Sequence, residues 1–240
     1  MIQLDQWHVK YPDGTLAIQK LSLHIPPGEH VALVGANGAG KSSLILSLVA
    51  ILPASGNASV ANIPVSPQNA AKIRNRVGVL FQNPDDQLFM PTIYDDIAFG
   101  PRNLGLDETS VKHRVYDRLQ KLHIEHLKDK TPLKLSGGEK RLAALAGILA
   151  MKPDLMLMDE PTAFLDPKSR RNLIQILQTL PHTLLIATHD LAFAAELCPR
   201  ILVLKRGLLT ADGTPSHILT NPDIMQNADI EEVRTCHFCA

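Results

Sequence analysis

The feature that most constrains the fold of this chain is a glycine-rich segment at residues 35–42. It stands between an apolar run and a stretch of helical composition, and it consists of Gly35, Ala36, Asn37, Gly38, Ala39, Gly40, Lys41 and Ser42. This spacing is typical of a loop whose backbone N–H groups surround phosphate oxygens. There, Lys41 is expected to neutralise the β- and γ-phosphates and the Ser42 hydroxyl to coordinate Mg²⁺. A plain glycine-rich turn is the weaker interpretation, because chance matches with these flanks are rare.

The remaining strands and helices alternate, which indicates an α/β fold. Asp166 followed by Pro167, and later Asp190, are typical helix starts. Residues 53–69 are rich in Pro, Ser, Asn and Gly, and are expected to form a loop with short edge strands. Strands are expected at residues 2–9, 21–25, 30–34, 77–81, 155–158, 184–187 and 201–204.

Residues 83–151 have helical character and interrupt this alternation. One helix predicted in this region has an apolar face, and either Asp107 or Thr109 is expected to cap its N-terminus. The residues of this face are Val111, Val115, Leu119 and Leu122. The sequence therefore predicts a helical insertion in a strand-helix-strand core.

Composition excludes several classes of protein. Among 240 residues, 45% are apolar and 20% are charged, which fits a globular protein with a buried core. The 24 basic and 24 acidic side chains balance, which argues against a broadly basic nucleic-acid binder. The longest apolar run, residues 142–151, is too short to span a membrane, and no signal peptide is recognisable. An odd cysteine count fits a reducing compartment, so the expected location is cytosolic.

Polar side chains follow three further apolar strands. Asp159 and Glu160 end one strand, Gln82 follows another, and His189 follows a third. Because α/β folds bind ligands at the carboxyl ends of their strands, these groups are expected near the phosphate loop. Asp159 would hold Mg²⁺ and Glu160 would polarise the attacking water. Gln82 would sense Mg²⁺ and water, and His189 would contact the γ-phosphate; an ordinary turn residue and a structural histidine are the alternatives.

A second anion-binding segment is predicted at residues 135–139, which read Leu-Ser-Gly-Gly-Glu. Ser136 and Glu139 have the spacing of a capping box, so the segment begins a helix. Gly138 and its neighbouring glycine permit close backbone approach, and the helix N-terminus favours an anion. This segment is remote in sequence from the phosphate loop, so we expect it to serve a nucleotide held by another subunit.

Together these residues resemble the nucleotide-binding subunit of an ABC transporter. The motifs are the Walker A loop at residues 35–42, the Q-loop at Gln82, the signature at 135–139, the Walker B strand at 155–159 and the switch His189. The resemblance implies a P-loop NTPase core with an N-terminal antiparallel β subdomain and an inserted helical subdomain. It implies an ATPase domain at 1–225, with a catalytic core at about 1–82 and 152–220, a helical subdomain at about 83–151 and a flexible tail at 226–240.

The same resemblance adds residues to the nucleotide site. Tyr11 stands where the family stacks an aromatic ring on adenine, with a surface tyrosine as the alternative. Ser43 and Asp166, the latter in the D-loop, match positions that contact the nucleotide or the dimer partner. Phe164 departs from the family, which has a small residue in this place, and leaves the D-loop contact open.

Within the family, residues 81–89 and 98–101 resemble the energy-coupling factor (ECF) group, the ATPases of vitamin and cobalt or nickel importers. This implies a homodimer or heterodimer with a second ABC ATPase subunit, holding two ATP with Mg²⁺ between them. It also implies a transmembrane coupling subunit and a substrate-binding membrane component, with this chain peripheral on the cytoplasmic face of the cell membrane. Which substrate is carried is not encoded in this chain.

The sequence disfavours two other functions. A soluble ABC ATPase acting on nucleic acid or ribosomes would carry a coiled-coil insertion, tandem cassettes or a basic arm, and none is recognisable, so no nucleic-acid partner is expected. A non-hydrolysing regulator would not need Glu160 and His189. At the C-terminus, Cys236, His237 and Cys239 favour a mobile reduced tail over a metal site. His123 and His126 are expected on a solvated face.

Overall fold

The computed structural model describes residues 1–228, so the Cys236 and His237 motif lies outside the described residues. The strands are β1 (Ile2–Lys10), β2 (Leu16–Ile25), β3 (His30–Val34), β4 (Ala54–Val60), β5 (Ile63–Pro64), β6 (Val77–Leu80), β7 (Leu155–Asp159), β8 (Thr183–Ala187), β9 (Arg200–Lys205) and β10 (Leu208–Gly213). The helices are α1 (Lys41–Leu48), α2 (Ala70–Arg74), α3 (Ile93–Asn103), α4 (Glu108–Lys121), α5 (Gly137–Ala150), α6 (Pro167–Gln178), α7 (Leu191–Leu197), α8 (Pro215–Leu219) and α9 (Pro222–Asn227).

A six-stranded sheet forms the centre of the molecule, in the order β10-β9-β3-β8-β7-β6. The five strands from β9 to β6 are parallel, and β10 pairs with β9 in the antiparallel direction. Every residue of β7 and β8 is buried, as expected for strands covered on both faces. The parallel alignment places the carboxyl ends of β3, β6, β7 and β8 along one edge.

A second, four-stranded antiparallel sheet has the order β2-β1-β4-β5. The expectation of a loop with edge strands at residues 53–69 is wrong in one respect. Strand β4 is seven residues long and lies inside this sheet, paired with both β1 and β5. Its residues, ASGNASV, are mostly small or polar, and only the last of them is buried. The strand is therefore held by its backbone pairing and gives no apolar pattern that sequence analysis could detect.

Helices α3, α4 and α5 occupy the insertion between β6 and β7 and pack against one another. Asp107, rather than Thr109, caps α4, because its side chain accepts a hydrogen bond from the Ser110 N–H. The predicted apolar face of α4 is buried, and the capping box of Ser136 with Glu139 is present at the start of α5. These local predictions are confirmed, and both His123 and His126 are exposed as expected.

Strand β6 and helix α5 approach so closely that only glycine fits between them. A Cβ atom on Gly78 would lie 2.1 Å from Cγ2 of Ile148 and 3.4 Å from Cγ of Pro153. Ile148 is β-branched and rigid, so it has little freedom to move away. The glycine thus sets the distance between the sheet and the helix that begins with the Leu-Ser-Gly-Gly-Glu segment.

We expect Gly78→Ala to lower the free energy of unfolding by about 1–3 kcal/mol, because the new methyl group overpacks this contact. Gly147→Ala is the matched control, since a Cβ there would meet only ordinary contacts, at 3.7 Å from the Asp96 carbonyl oxygen. Gly147 lies inside α5, so alanine should stabilise by about 0.5–1 kcal/mol through helix propensity. Urea unfolding of both variants measures the difference, and equal effects would contradict the close-approach account.

Candidate functional site

The phosphate loop connects β3 to α1, as the sequence predicts. Gly40, the residue immediately before α1, has φ of 107°, and a Cβ atom there would lie 2.4 Å from the Ala17 carbonyl oxygen. No side chain caps α1, so the N–H groups of its first turn have no side-chain acceptor. A helix N-terminus with free N–H groups attracts anions. The loop therefore has the backbone that phosphate binding requires.

Lys41 is buried at the start of α1. Its Nζ donates hydrogen bonds to the carbonyl oxygens of Gly35 at 2.7 Å and Ala36 at 3.2 Å. Burial lowers the pKa of Lys41, while the negative charges of Glu160 and Asp159 oppose that shift. The ammonium group is thus held inside the loop by carbonyl oxygens and faces two carboxylates, a position that suits contact with a phosphate chain.

The donor set around Asp159 fits a magnesium ion. Asp159 is only 9% exposed, and its Oδ1 atom is buried without a hydrogen-bond partner. Burial raises the pKa of Asp159, against the opposing effects of the Ser42 hydroxyl and Lys41. Magnesium is held by one or two carboxylates together with phosphate oxygens and a hydroxyl. The unpartnered oxygen of Asp159 and the neighbouring Ser42 hydroxyl would provide these protein ligands.

Glu160 is held at one side-chain oxygen, Oε2, by two hydrogen bonds. Its Oε2 accepts hydrogen bonds from Thr188 Oγ1 at 3.1 Å and the His189 backbone N–H at 3.2 Å, and lies 2.9 Å from His189 Nδ1. The Glu160 side chain is buried, whereas His189 is exposed on the cleft side. Glu160 also has φ of 45°, a left-handed conformation that is costly for glutamate and recurs at functional sites.

These groups share one cleft of about 470 Å³. Gln82 and Tyr11 line it, and the Tyr11 hydroxyl is 2.9 Å from Oγ of Ser43. Among the predicted site residues, those that line the cleft are Tyr11, Asn37, Gly38, Gly40, Lys41, Ser42, Ser43, Gln82, Asp159, Glu160 and His189. Gly35, Ala36 and Ala39 belong to the same loop but do not line the cleft.

The remaining predicted residues lie together elsewhere. Ser136 caps α5 and Asp166 caps α6, and neither lines the cleft. A Cβ atom on Gly138 would lie 2.5 Å from Oγ of Ser169, which itself donates to Asp166. The signature segment and the start of α6 therefore adjoin each other. The fold brings them together on a surface that is separate from the cleft of the same chain.

The sequence analysis missed two parts of the site. Thr188 precedes His189 at the end of β8 and bonds to Glu160, and its place at a strand end was a signal that could have identified it. Arg170 on α6 forms a two-point ion pair with Asp190, with Nε to Oδ2 at 2.8 Å and Nη2 to Oδ1 at 3.1 Å. Asp190 also accepts from the Phe193 N–H and caps α7. No sequence pattern indicated that α6 contacts the residue next to His189.

Comparison with known proteins agrees with this geometry. The family model for ABC transporters matches residues 18–163. The energy-coupling factor transporter ATP-binding protein EcfA of Methanothermobacter thermautotrophicus is 44% identical, with 98% of this chain and 78% of that protein covered. A solved structure of cbiO1 from Clostridium perfringens, described as part of the ABC transporter complex cbiONQ, aligns with a TM-score of 0.83 and 34% identity, covering 96% and 94% of the two chains.

The ATP-binding cassette MJ0796 was solved as a dimer in a post-hydrolysis state with ADP and Pi. It aligns with a TM-score of 0.80 and 25% identity, over 90% of this chain and 99% of that one. These matches confirm the predicted fold class and favour the transporter ATPase over a nucleic-acid or ribosome ATPase. Among the helices of residues 1–228, none combines the length and the hydropathy of a membrane-spanning segment. The chain belongs to the ABC transporter family and is an ATP-binding, transport-coupled ATPase of the energy-coupling factor type.

Proposed function

We propose that this ATPase works as one half of a head-to-tail pair of cassettes, in which each ATP lies between the cleft of one subunit and the signature segment of the other. The observation that carries the proposal is the separation of Ser136, Gly138 and Asp166 from the cleft. A second ABC ATPase subunit, either the same chain or a related one, turned head to tail, would bring the equivalent residues to the phosphates. The dimeric structure of the related cassette MJ0796 supports this arrangement.

In the proposed site, Lys41 and the loop amides bind the β- and γ-phosphates, and Tyr11 stacks on adenine. Ser42, Asp159 and the Gln82 side-chain oxygen hold Mg²⁺, which when bound neutralises phosphate charge. The unpartnered Oδ1 of Asp159 supports this assignment.

Glu160 is the proposed general base for the attacking water. Two hydrogen-bond donors occupy its Oε2, which leaves Oε1 to accept the proton of the water. Nδ1 of His189 lies 2.9 Å from Oε2 of Glu160, so Nε2 on the other side of the ring remains to contact the γ-phosphate. The ion pair of Arg170 with Asp190 fixes the backbone beside this histidine.

An apolar groove next to the Q-loop is the proposed contact with a membrane subunit. It has a volume of about 220 Å³ and is lined by residues of β6, α3, α5 and the segment after Gln82. The rings of Phe89 and Phe99 lie at this groove and pack edge to face, with their centroids 5.0 Å apart. Phe89 is 61% exposed and Phe99 is 40% exposed. Exposed aromatic pairs of this kind are typical of protein contact sites. Asp96 holds the groove in shape, since its Oδ1 accepts from the N–H groups of Phe89 and Met90.

Docking at this groove places the chain on the cytoplasmic face of the cell membrane as a peripheral subunit. ATP-driven closure of the two cassettes would then move a transmembrane coupling subunit, with a separate membrane component binding the substrate. The proposed cargo is a cobalt or nickel ion or a vitamin. The similarity to EcfA and to cbiO1 supports an importer of this type.

We expect Glu160→Gln to lower ATP turnover by at least about 100-fold, because the amide cannot accept the proton from water. ATP binding should persist, since Lys41 and the phosphate loop are unchanged. Phosphate release and nucleotide binding measure the two effects separately. Glu125→Gln, at an exposed glutamate of the helical insertion, is the control and should retain the parental rate. Parental turnover in Glu160→Gln would exclude this residue as the base.

We expect Phe89→Ser to abolish capture of the membrane partner while ATP binding is kept. Tagged Glu160→Gln protein, with and without Phe89→Ser, is used to isolate partners from detergent-solubilised membranes in the presence of ATP, and mass spectrometry identifies them. An integral-membrane coupling subunit and a small substrate-binding membrane protein should be recovered with the Glu160→Gln protein. They should be lost when the protein also carries Phe89→Ser.

Leu208→Ser is the control, because Leu208 is exposed on β10 and does not line the groove. That variant should retain the membrane partner, and the identity of the small membrane protein would narrow the cargo. Recovery of soluble proteins or nucleic acid alone would contradict the importer function.

A further inference from the structure

Arg141 is a buried arginine on α5 that the proposed reaction does not use. Its side chain is 1% exposed and is the largest of the fully buried side chains in the described residues. Burial lowers its pKa to about 10, so the guanidinium keeps its charge at neutral pH. Within residues 1–228 it forms no ion pair with a carboxylate. Burial of a charge without a counter-ion costs folding free energy, so other contacts must compensate the charge of Arg141.

Those contacts are two short hydrogen bonds to the backbone of the Q-loop. Nη1 donates to the Phe81 carbonyl oxygen and Nη2 to the Gln82 carbonyl oxygen, both at 2.6 Å. The third donor, Nε, is buried and has no partner. The two carbonyl groups follow the end of β6, where the chain has left the sheet and its ladder of hydrogen bonds has ended.

The geometry has a specific consequence for Gln82. The Phe81 carbonyl belongs to the peptide plane before the Gln82 Cα, and the Gln82 carbonyl to the plane after it. A planar guanidinium that bonds to both carbonyls fixes both planes, and with them the direction of the Gln82 Cα–Cβ bond. Gln82 lines the cleft beside Lys41 and Asp159. The direction in which its side chain leaves the backbone therefore depends on Arg141.

We infer that Arg141 is a positioning residue for hydrolysis, which holds the Gln82 side chain toward the magnesium and water side of the cleft. The inference rests on the proposed function, because it assumes the role given there to Gln82. Arg141 lies on α5, about one and a half turns after Ser136, so the direction of Gln82 is tied to the helix that carries the signature segment. Lys140 adds a second link, with its Nζ 2.6 Å from Oδ1 of Asp85 beyond the Q-loop. Movement of α5 thus moves Gln82.

The test compares Arg141→Met with Gln82→Ala in the full chain, singly and combined. Arg141→Met should lower kcat by about 10- to 100-fold, the size expected when a reacting group is misplaced by about 1 Å. It should also raise the Mg²⁺ concentration needed for half-maximal rate and leave the KM for ATP near the parental value. In the Gln82→Ala background it should cause no further loss of kcat, because the two residues act through one group. An equal loss of kcat in both backgrounds would overturn the inference.

Arg114→Met is the matched control. Arg114 also bonds to backbone carbonyl oxygens, those of Ala150 at 3.0 Å and Met151 at 3.4 Å, but these lie at the other end of α5. It should lower thermal stability without changing the Mg²⁺ dependence. Where Arg141→Met does not fold, Arg141→Lys serves instead, because it keeps the buried charge but has a single ammonium in place of the two-point fork. The same non-additivity with Gln82→Ala is expected, and its absence would overturn the inference.

The outcomes separate this inference from the proposed function. Slow hydrolysis in Gln82→Ala together with parental kcat in Arg141→Met would overturn the role of Arg141 alone. Parental kcat and Mg²⁺ dependence in Gln82→Ala would overturn the proposed role of Gln82, and the inference with it.

Discussion

The parallel alignment of β3, β8, β7 and β6 is the constraint on which the site depends. Parallel strands end at the same edge of a sheet, so the groups that follow them must meet. Lys41 comes from the loop after β3, Asp159 and Glu160 from the end of β7, His189 from β8 and Gln82 from β6. No long-range search is needed to assemble these groups once the sheet has formed. Burial of the strands on both faces, in turn, is what makes the sheet stable.

Burial also determines the electrostatics of the cleft. The same desolvation lowers the pKa of Lys41 and raises that of Asp159, while each charge partly compensates the other. In the proposed function, such a site would gain stability by taking up a polyanion with its cation, because the phosphates would pair with Lys41 and the metal with Asp159. Arg141 is the contrasting case, since its buried charge is satisfied by carbonyl oxygens.

Sequence analysis predicted the α/β class, the strand ends and most of the cleft, because phosphate chemistry demands particular residues at fixed spacing. It failed where backbone geometry decides the structure. Strand β4 has no apolar pattern and is held by pairing. The hydrogen bonds of Arg141 to the Q-loop join residues about sixty positions apart. They end on main-chain carbonyl oxygens, which every residue has, so no residue type in the sequence indicates them. Phe164, which departs from the family pattern in the D-loop, is 87% exposed and adopts a left-handed conformation.

The claim that the active site is divided between two subunits is tested most directly by mixing two inactive variants. Lys41→Ala removes the phosphate ligand of the cleft. Ser136→Asp keeps a helix cap but places a carboxylate where the signature would meet phosphate. Each variant alone should be nearly inactive, whereas the mixture should recover part of the parental ATPase rate, because a mixed pair contains one intact composite site. A parental rate in Ser136→Asp alone, or a mixture no more active than its components, would contradict the divided site.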